Sequence, residues 1–355
     1  MKVLIIQQKM IGDVLTSSIL FEAIKTKYPD YELHYLINSH TYPVVEDHPH
    51  VDEFKFFTPN IEKSKLALFA FAMHLRKENY DIVIDVYSKF SSNLFSLFSG
   101  AKARISKHKW YTSFLYTNTY KDAKTPKTNA GLAIENRLQL LSALNIPQEN
   151  PIRPKIYLKE TEKTYAKNAL TANDIDLNKP LYMIGVLGSN PSKTYPFEYM
   201  ATVIDGIIEQ QPEAQILFNY IPKQEKDAKT IYKFCKASTQ QHIYLNIYGK
   251  SLREFLAITS FCNAVIGNEG GAINMAKALN VPTFTIFSPW IDKSIWSVFD
   301  DGKTHVSVHL QDYKNEYYQN VKKYKILKTK TEAMYKVFSP IFFNTKFKSF
   351  LKILN

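Results

Sequence analysis

The chain has 355 residues, which is long for a single hydrophobic core, so two domains are expected. Its hydrophobic (45%) and charged (22%) fractions are those of an ordinary soluble globular protein. Because the sequence contains no run of about 20 apolar residues, no transmembrane helix is expected. The net charge of +12 favours an anionic partner such as nucleic acid, an acidic membrane, or a phosphorylated or carboxylated substrate.

The N-terminal residues predict a βαβ unit. Lys2–Ile6 is a continuous apolar run that predicts a strand buried on both faces, and it is too short for a signal peptide. A turn at Gln7–Asp13, a helix at Val14–Tyr28 and a strand at Glu32–Ile37 follow. Ligands of open α/β sheets bind at the carboxyl ends of the strands, where this turn lies.

Asp13 in that turn has two interpretations. Aspartate is a favoured N-cap residue and stabilises a helix by about 1 kcal/mol. Alternatively, Asp13 is a general base at the mouth of a cleft. The residues alone leave both open.

The next segments continue an alternation of strands and helices. Strands are predicted at Val51–Phe57 and Tyr80–Val86, and helices at Glu62–Glu78, Ser88–Ser99 and Glu135–Leu144. The prolines of Asn145–Pro154 indicate the end of the first domain.

A basic stretch with loop-like composition interrupts this alternation at Lys102–Lys109, just before Trp110 and Tyr111. Such a charge run is usually a solvated face. Interleaved aromatic residues near a proposed cleft also suit a site for an acidic substrate. The candidate residues are Lys102, Arg104, Lys107 and Lys109.

The α/β pattern restarts after a predicted strand and charged helix at Ile156–Ala172. Strands are predicted at Tyr182–Val186, Gln215–Phe218, Ile243–Leu245, Ala264–Ile266 and Thr283–Phe287. Helices are predicted at Phe197–Gln210, Gln224–Cys235, Arg253–Phe261 and Ala272–Leu279. We therefore predict two Rossmann-like domains facing across a cleft: residues 1–154, a linker at 155–177, and residues 178–320.

A glycine-rich turn at Gly267–Gly271 separates a predicted strand from a predicted helix. Free amide groups at a helix start bind anions, and glycine lets a phosphate approach the backbone closely. This turn predicts a site for a phosphorylated ligand. A simple tight connection between strand and helix is the alternative.

The C-terminal residues 321–355 are basic and contain many phenylalanines. From Asn320 to Asn355 the sequence has nine lysines and one acidic residue, Glu332. A basic amphipathic helix of this kind can bind an anionic membrane. Packing of the tail against the protein is the alternative.

Four blocks of the sequence resemble the heptosyltransferases of lipopolysaccharide synthesis, glycosyltransferase family nine. They are KVLIIQQKMIGDVLTSSILFEAIKTKYPD, ENRLQLLSALNIP, LGSNPSKTYPFEYM and YGKSLREFLAITSFCNAVIGNEGGAINMAKALNVPTFTIFSPW. The resemblance implies a GT-B fold and sugar transfer from a nucleotide diphosphate sugar, usually ADP-heptose. The usual acceptor is a lipid-linked core oligosaccharide at the cytoplasmic face of the inner membrane, so a peripheral location is implied.

The resemblance also assigns roles to individual residues. Asp13 matches the family's aspartate, whose proposed role is general base in an inverting reaction. Lys193 and the amide groups of Gly270, Gly271 and Ala272 would stabilise the departing diphosphate. The remaining donor-side matches are Ser189, Tyr248, Leu252, Glu269 and Asn274. The route requires no metal or other cofactor.

The chain departs from the family pattern of Asp-Ser/Thr-Gly followed three residues later by His. It has Glu269, Gly270, Gly271 and Asn274 at these positions, which leaves open whether the sugar is heptose. Two other functions remain: a nucleotide-sugar epimerase with the same two domains, and a non-catalytic anion-binding protein. Nucleic-acid binding is disfavoured because no helix-turn-helix, zinc-finger or RNP-type motif is present.

Overall fold

The computed structural model describes residues 1–147, 151–319, 321 and 323–354. It divides into two compact units, residues 1–157 and 158–355. Residues 148–150 of Asn145–Pro154, the segment predicted to end the first domain, lie outside the described residues, as do Asn320, Lys322 and Asn355. Among the described residues, no helix combines the length and the apolar content needed to cross a membrane.

The first unit is built around a six-stranded parallel sheet. Its strands are β1 (Lys2–Ile6), β2 (Glu32–Asn38), β3 (Glu53–Phe57), β4 (Ile82–Asp85), β5 (Ala103–Lys107) and β6 (Asn118–Tyr120), in the order β3-β2-β1-β4-β5-β6. Its helices are α1 (Ile11–Ser17), α2 (Ile19–Lys27), α3 (Pro59–Lys63), α4 (Lys65–Lys77), α5 (Phe90–Phe98) and α6 (Leu132–Leu138). The central strands are buried on both faces, as their continuous apolar runs predict.

The second unit repeats this topology. Its strands are β7 (Leu181–Gly185), β8 (Gln215–Phe218), β9 (Ile243–Tyr244), β10 (Ala264–Asn268), β11 (Thr283–Ile286) and β12 (His305–Val308), in the order β12-β11-β10-β7-β8-β9. Its helices are α7 (Glu160–Thr171), α8 (Phe197–Gln210), α9 (Glu225–Phe234), α10 (Ala237–Gln240), α11 (Leu252–Thr259), α12 (Gly271–Ala278), α13 (Lys293–Trp296), α14 (Thr331–Val337) and α15 (Asn344–Ile353). Each sheet therefore has the strand order of a Rossmann fold, which confirms the predicted fold class.

The first predicted helix is divided in two. It begins earlier than predicted, at Ile11, and breaks between Ser17 and Ile19. Around the break, the Thr16 and Ser17 hydroxyls donate to carbonyl oxygens four residues back, at 2.6 and 2.8 Å. Such bonds compete with regular helix hydrogen bonding and account for the interruption.

Other segments also differ from the prediction, among them the predicted helix Glu62–Glu78, which forms α3 and α4 with Ser64 between them. The basic stretch predicted as a loop forms β5, because Ile105 and Ser106 are fully buried within the sheet. The described residues 151–159, directly before α7, form no strand, so the strand predicted at the start of Ile156–Ala172 is wrong. The strand β12 lies in a segment predicted to be polar. Its sequence pattern is weak, since only two of its four residues are apolar.

The C-terminal tail forms helices whose aromatic residues are part of the second unit's core. The Phe343, Phe347 and Phe350 rings lie 4.9 to 5.8 Å from the ring of Phe284 in β11. All four side chains are buried. The apolar face of the tail therefore packs against the protein, which was one of the two alternatives for this segment.

Gly267 allows β10 and β7 to approach each other closely. Its φ is +137°, and a Cβ atom there would lie 2.4 Å from the carbonyl oxygen of Gly185. We expect Gly267→Ala to lower the free energy of unfolding by about 3 kcal/mol, because both the backbone conformation and the contact oppose a side chain. Urea denaturation measures this change.

The matched control is Gly302→Ala. Gly302 also has a positive φ (+68°), but a Cβ atom there would meet nothing within 4 Å. We expect this variant to lose only about 1 kcal/mol. Equal losses in the two variants would show that contact with Gly185 does not contribute.

Candidate functional site

The predicted site residues follow the strands at which each sheet changes its strand order. In the first unit, β1 and β4 are adjacent and their connections run in opposite directions; β7 and β10 have these positions in the second unit. Crevices at the carboxyl ends of such strands are the usual ligand sites of open α/β sheets. Asp13 follows β1, Lys193 follows β7, and Glu269–Gly271 follow β10.

Asp13 lies in the first turn of α1 and is held by an arginine. Its Oδ1 accepts a hydrogen bond of 2.7 Å from Nη2 of Arg137 in α6. The Asp13 side chain is 28% exposed and that of Arg137 is 11% exposed. Within the described part of the chain, Oδ2 of Asp13 has no hydrogen-bond partner, so it can accept a proton from a bound ligand.

The N-cap interpretation of Asp13 is wrong. The helix begins at Ile11, so the N-cap residue is Met10 and Asp13 is the third helical residue. Its side chain is therefore directed to Arg137 rather than to a free amide of its own helix. A carboxylate in the first turn is still favoured by the helix dipole.

Arg137 is a site residue that the sequence reasoning missed. Its Nε donates to Oγ of Ser17 at 2.8 Å, and its Nη1 donates to the carbonyl oxygen of Ala133 at 2.6 Å. These bonds fix the guanidinium beside Asp13. A signal was present, because Arg137 follows the buried residues Ala133 and Ile134 at spacings of four and three, which places a charge on an apolar helix face.

The four predicted acceptor-binding residues divide between the two edges of the sheet. Lys107 ends β5 and Lys109 follows it, so both lie at the carboxyl edge, as Asp13 does. Lys102 and Arg104 lie at the amino edge, away from Asp13. Arg104 donates to the carbonyl oxygens of Leu115 and Ala101 at 2.9 and 3.0 Å, which is a structural use of its guanidinium.

Lys107 and Lys109 form the cationic part of the carboxyl edge. Burial lowers the pKa of Lys107, and Arg137 acts in the same direction, while Asp122 opposes it. Burial and the neighbouring Lys107 also lower the pKa of Lys109. Because these two ammonium groups repel each other, a bound anion would stabilise their charged forms.

The glycine-rich turn before α12 has the geometry expected of an anion site. Helix α12 starts at Gly271, and its N-cap residue, Gly270, offers no side chain to the first amides. The first amide groups of a helix lack partners within the helix and carry the positive end of the dipole. Gly271 is exposed, so a ligand can reach these amides.

Lys193 lies beside this turn and is paired with Glu269. Its Nζ lies 2.7 Å from Oε1 of Glu269, which is 9% exposed. The same ammonium lies 5.8 Å from the centre of the Trp290 ring, and Lys328 approaches that ring to 5.3 Å. Neither Trp290 nor Lys328 was a predicted site residue.

A short loop presents Lys193. A Cβ atom on Gly188 would lie 2.2 Å from the carbonyl oxygen of Lys193, so the loop closes only with glycine there. The carbonyl oxygen of Ser192 accepts hydrogen bonds from Ser288 and Trp290 at 2.7 and 2.9 Å. These contacts join the loop after β7 to the loop after β11.

The remaining donor-side residues are placed at the same edge of the second sheet. Ser189 is exposed in the Lys193 loop, and Asn274 is half-buried in the first turns of α12. Tyr248 lies between β9 and α11, and Leu252 is the first residue of α11. Tyr248 is half-exposed, and its ring lies 6.3 Å from that of Tyr220. A stacking surface for a base is therefore available near the predicted position.

One group of described residues, His34, Glu53 and Glu78, could present three metal ligands. The ammonium of Lys55 lies 2.6 Å from both Glu53 and Glu78, and that of Lys2 lies 2.7 Å from Glu78. The group is at the amino edge of the first sheet and contains none of the predicted site residues. We interpret it as an ion-pair network.

Comparison with known proteins gives consistent matches. The model of glycosyltransferase family 9 (heptosyltransferase) matches residues 68–325. Lipopolysaccharide heptosyltransferase 1 of Campylobacter coli is 25% identical over 299 residues, which cover 81% of this chain and 84% of that protein.

Two solved structures share the fold over nearly the whole chain. The glycosyl transferase family 9 protein of Veillonella parvula has a TM-score of 0.72 at 14% identity, covering 95% of this chain and 97% of its own. The ADP-heptose lps heptosyltransferase II of E. coli has a TM-score of 0.68 at 18% identity, covering 95% and 99%.

Proposed function

Since the chain belongs to glycosyltransferase family 9, we propose that it transfers a sugar from a nucleotide diphosphate sugar to an anionic glycan, with inversion at the anomeric carbon. ADP-heptose is the first candidate donor, because a structural relative is an ADP-heptose lps heptosyltransferase. The core of lipopolysaccharide is the first candidate acceptor, because the Campylobacter coli relative is a lipopolysaccharide heptosyltransferase. One observation carries the proposal. Asp13 follows β1, and Lys193 and Glu269–Gly271 follow β7 and β10, which are strands at which the strand order of each sheet reverses.

The first unit supplies the acceptor side of the reaction. Oδ2 of Asp13 takes the proton of the acceptor hydroxyl while Oδ1 remains bound to Arg137. The hydroxyl oxygen attacks the anomeric carbon and forms the new C–O bond. Lys107 and Lys109 bind a carboxylate or phosphate of the acceptor at the same edge.

The second unit supplies the donor side. As the bond from the anomeric carbon to the diphosphate breaks, negative charge accumulates on the leaving nucleoside diphosphate. The amides that open α12 and the ammonium of Lys193 stabilise that charge. Glu269 holds Lys193 at the turn until the diphosphate replaces this carboxylate as its partner.

Glu269, Gly270 and Asn274 provide the polar groups nearest the helix start and are proposed to contact the sugar. Glutamate has a longer side chain than the family's aspartate, and Asn274 replaces a residue that can carry charge. We expect donor selectivity to differ from that of a strict ADP-heptose enzyme. Tyr248 and Leu252 are proposed to contact the base.

The test measures donor binding first and transfer second. Nucleotide sugars, including ADP-heptose, are screened by thermal shift; a ligand at 100 times its Kd stabilises by about 2.7 kcal/mol. The donor that shifts the melting temperature is then incubated with and without lipopolysaccharide core glycan, and release of nucleoside diphosphate is measured. We expect release that depends on acceptor.

Each other outcome contradicts the proposal. Conversion of the donor sugar without acceptor would indicate an epimerase. Binding of anionic glycans without binding of any nucleotide sugar would indicate a non-catalytic protein. Salt-sensitive DNA binding with no nucleotide-sugar binding would indicate a nucleic-acid partner.

We also propose a cytoplasmic location with peripheral attachment to the membrane that holds the acceptor. Cys235 and Cys262 are free and buried, which is compatible with a reducing compartment. The aromatic side chains of the tail are buried in the core of the second unit. Membrane contact therefore requires another surface.

A further inference from the structure

Five large apolar side chains of the first unit are strongly exposed. They are Met10, Leu66, Phe90, Trp110 and Phe114, with exposures between 68% and 84%. Isolated exposed apolar residues are ordinary, but a group on one surface marks an interaction site. Phe114 precedes Leu115, whose carbonyl oxygen binds Arg104 at the amino edge, so we call the other four residues the apolar rim.

The topology places the apolar rim at one edge of the sheet. Met10 follows β1, Phe90 follows β4, and Trp110 follows β5. Leu66 lies in the first turn of α4, which follows β3 after the short helix α3. Because all strands of this sheet are parallel, these positions share its carboxyl edge.

The segment that carries Phe90 and Trp110 is strongly basic. From Val86 to Lys121 the sequence has six Lys or Arg residues and no Asp or Glu, and four of the six, Lys89, Lys107, Lys109 and Lys121, lie at the carboxyl edge. Lys89 is exposed directly beside Phe90, and Lys109 precedes Trp110. Amphipathic residues such as tryptophan and lysine are suited to the boundary between headgroups and acyl chains.

Most acidic residues nearest this edge are paired or buried, whereas Asp122 is exposed and partly offsets the charge of Lys107 and Lys109. Asp13 binds Arg137, and Glu62 binds Lys9. Asp85 is fully buried and accepts hydrogen bonds from the Ser88 amide and the Tyr116 hydroxyl at 2.7 and 2.6 Å. The charge that this edge presents to a partner is therefore positive.

We propose that the apolar rim is a docking surface for an anionic lipid bilayer. Its aromatic and aliphatic side chains enter the headgroup region, and the lysines beside them bind lipid phosphates. Docking would hold the edge that carries Asp13 against the membrane, so that a lipid-linked acceptor reaches the base without leaving the bilayer. This last step rests on the proposed function, whereas bilayer binding itself does not.

The test uses the full chain and vesicles of phosphatidylglycerol or of phosphatidylcholine. We expect co-sedimentation with phosphatidylglycerol vesicles, weaker binding at high salt, and little binding to phosphatidylcholine. The rim variant is Leu66→Ser with Phe90→Ser and Trp110→Ser. It should reduce bound protein by at least about tenfold, because burial of these side chains supplies the apolar part of the binding.

The matched control removes three exposed apolar residues of the second unit. It combines Ile326→Ser, Ile341→Ser and Ile353→Ser, whose side chains are 62%, 79% and 52% exposed. We expect this control to bind vesicles as the unaltered chain does. Loss of binding in the control but not in the rim variant would overturn the proposal in favour of the tail.

Two further measurements separate other outcomes. Analytical ultracentrifugation without vesicles shows whether the apolar rim joins two copies of the chain; a dimer that the rim variant abolishes would contradict the bilayer proposal. Transfer to a water-soluble acceptor lacking lipid should be unchanged in the rim variant. If the chain binds phosphatidylglycerol through the rim but transfers no sugar, the proposed function fails while the docking surface stands.

Discussion

Asp13→Asn is expected to lower kcat by at least about 10³-fold while nucleotide-sugar binding stays unchanged. The amide keeps the size of the side chain and can still accept from Arg137, but it cannot take the proton of an acceptor hydroxyl. The measurement is steady-state transfer with the donor and acceptor identified as above, together with the donor-induced thermal shift.

The control for this variant is Glu22→Gln in the same unit. Glu22 also pairs with a cation, Lys155, at 2.8 Å, but it lies in α2 rather than in the first turn of α1. We expect its kcat to be within about twofold of the unaltered chain, since an exposed ion pair contributes little. A kcat of Asp13→Asn within threefold of the unaltered value would show that this carboxylate is not the base.

Lys193→Ala is expected to lower kcat/KM for the donor by about 10² to 10³-fold. The change removes the ammonium that would neutralise the departing diphosphate and leaves Glu269 buried without its cation. Affinity for free nucleoside diphosphate should fall as well, which titration calorimetry measures. If KM rises while kcat is unchanged, Lys193 would instead be assigned to ground-state binding of the donor.

Lys229→Ala provides the matched control. Lys229 is exposed and pairs with Glu225 at 2.6 Å within α9 of the same unit. The variant removes a surface ion pair but leaves the charge at the turn before α12 unchanged. Equal losses in the two lysine variants would mean that general positive charge, rather than the position of Lys193, accounts for donor binding.

Much of the fold was predictable because strand and helix patterns are local. The helix Phe197–Gln210 and the strand Gln215–Phe218 have the predicted bounds. Where prediction failed, burial depended on neighbours: β5 is a strand because β4 and β6 pair with it, although its composition is that of a loop. The tail's phenylalanines fit either a membrane or a core until Phe284 is placed beside them.

The sequence by itself determined the two α/β units, the turn that carries Asp13 and the glycine-rich turn before α12, since apolar runs and glycine positions are read along the chain. Only the tertiary structure decided which charges meet. Arg137 is 124 residues from Asp13 in sequence yet 2.7 Å away, and Lys193 meets Glu269 at the same distance. It also decided that Lys107 and Lys109, but not Lys102 and Arg104, share an edge with Asp13. The physical reason is that strand order and direction, which depend on packing of the whole sheet, fix which loops converge.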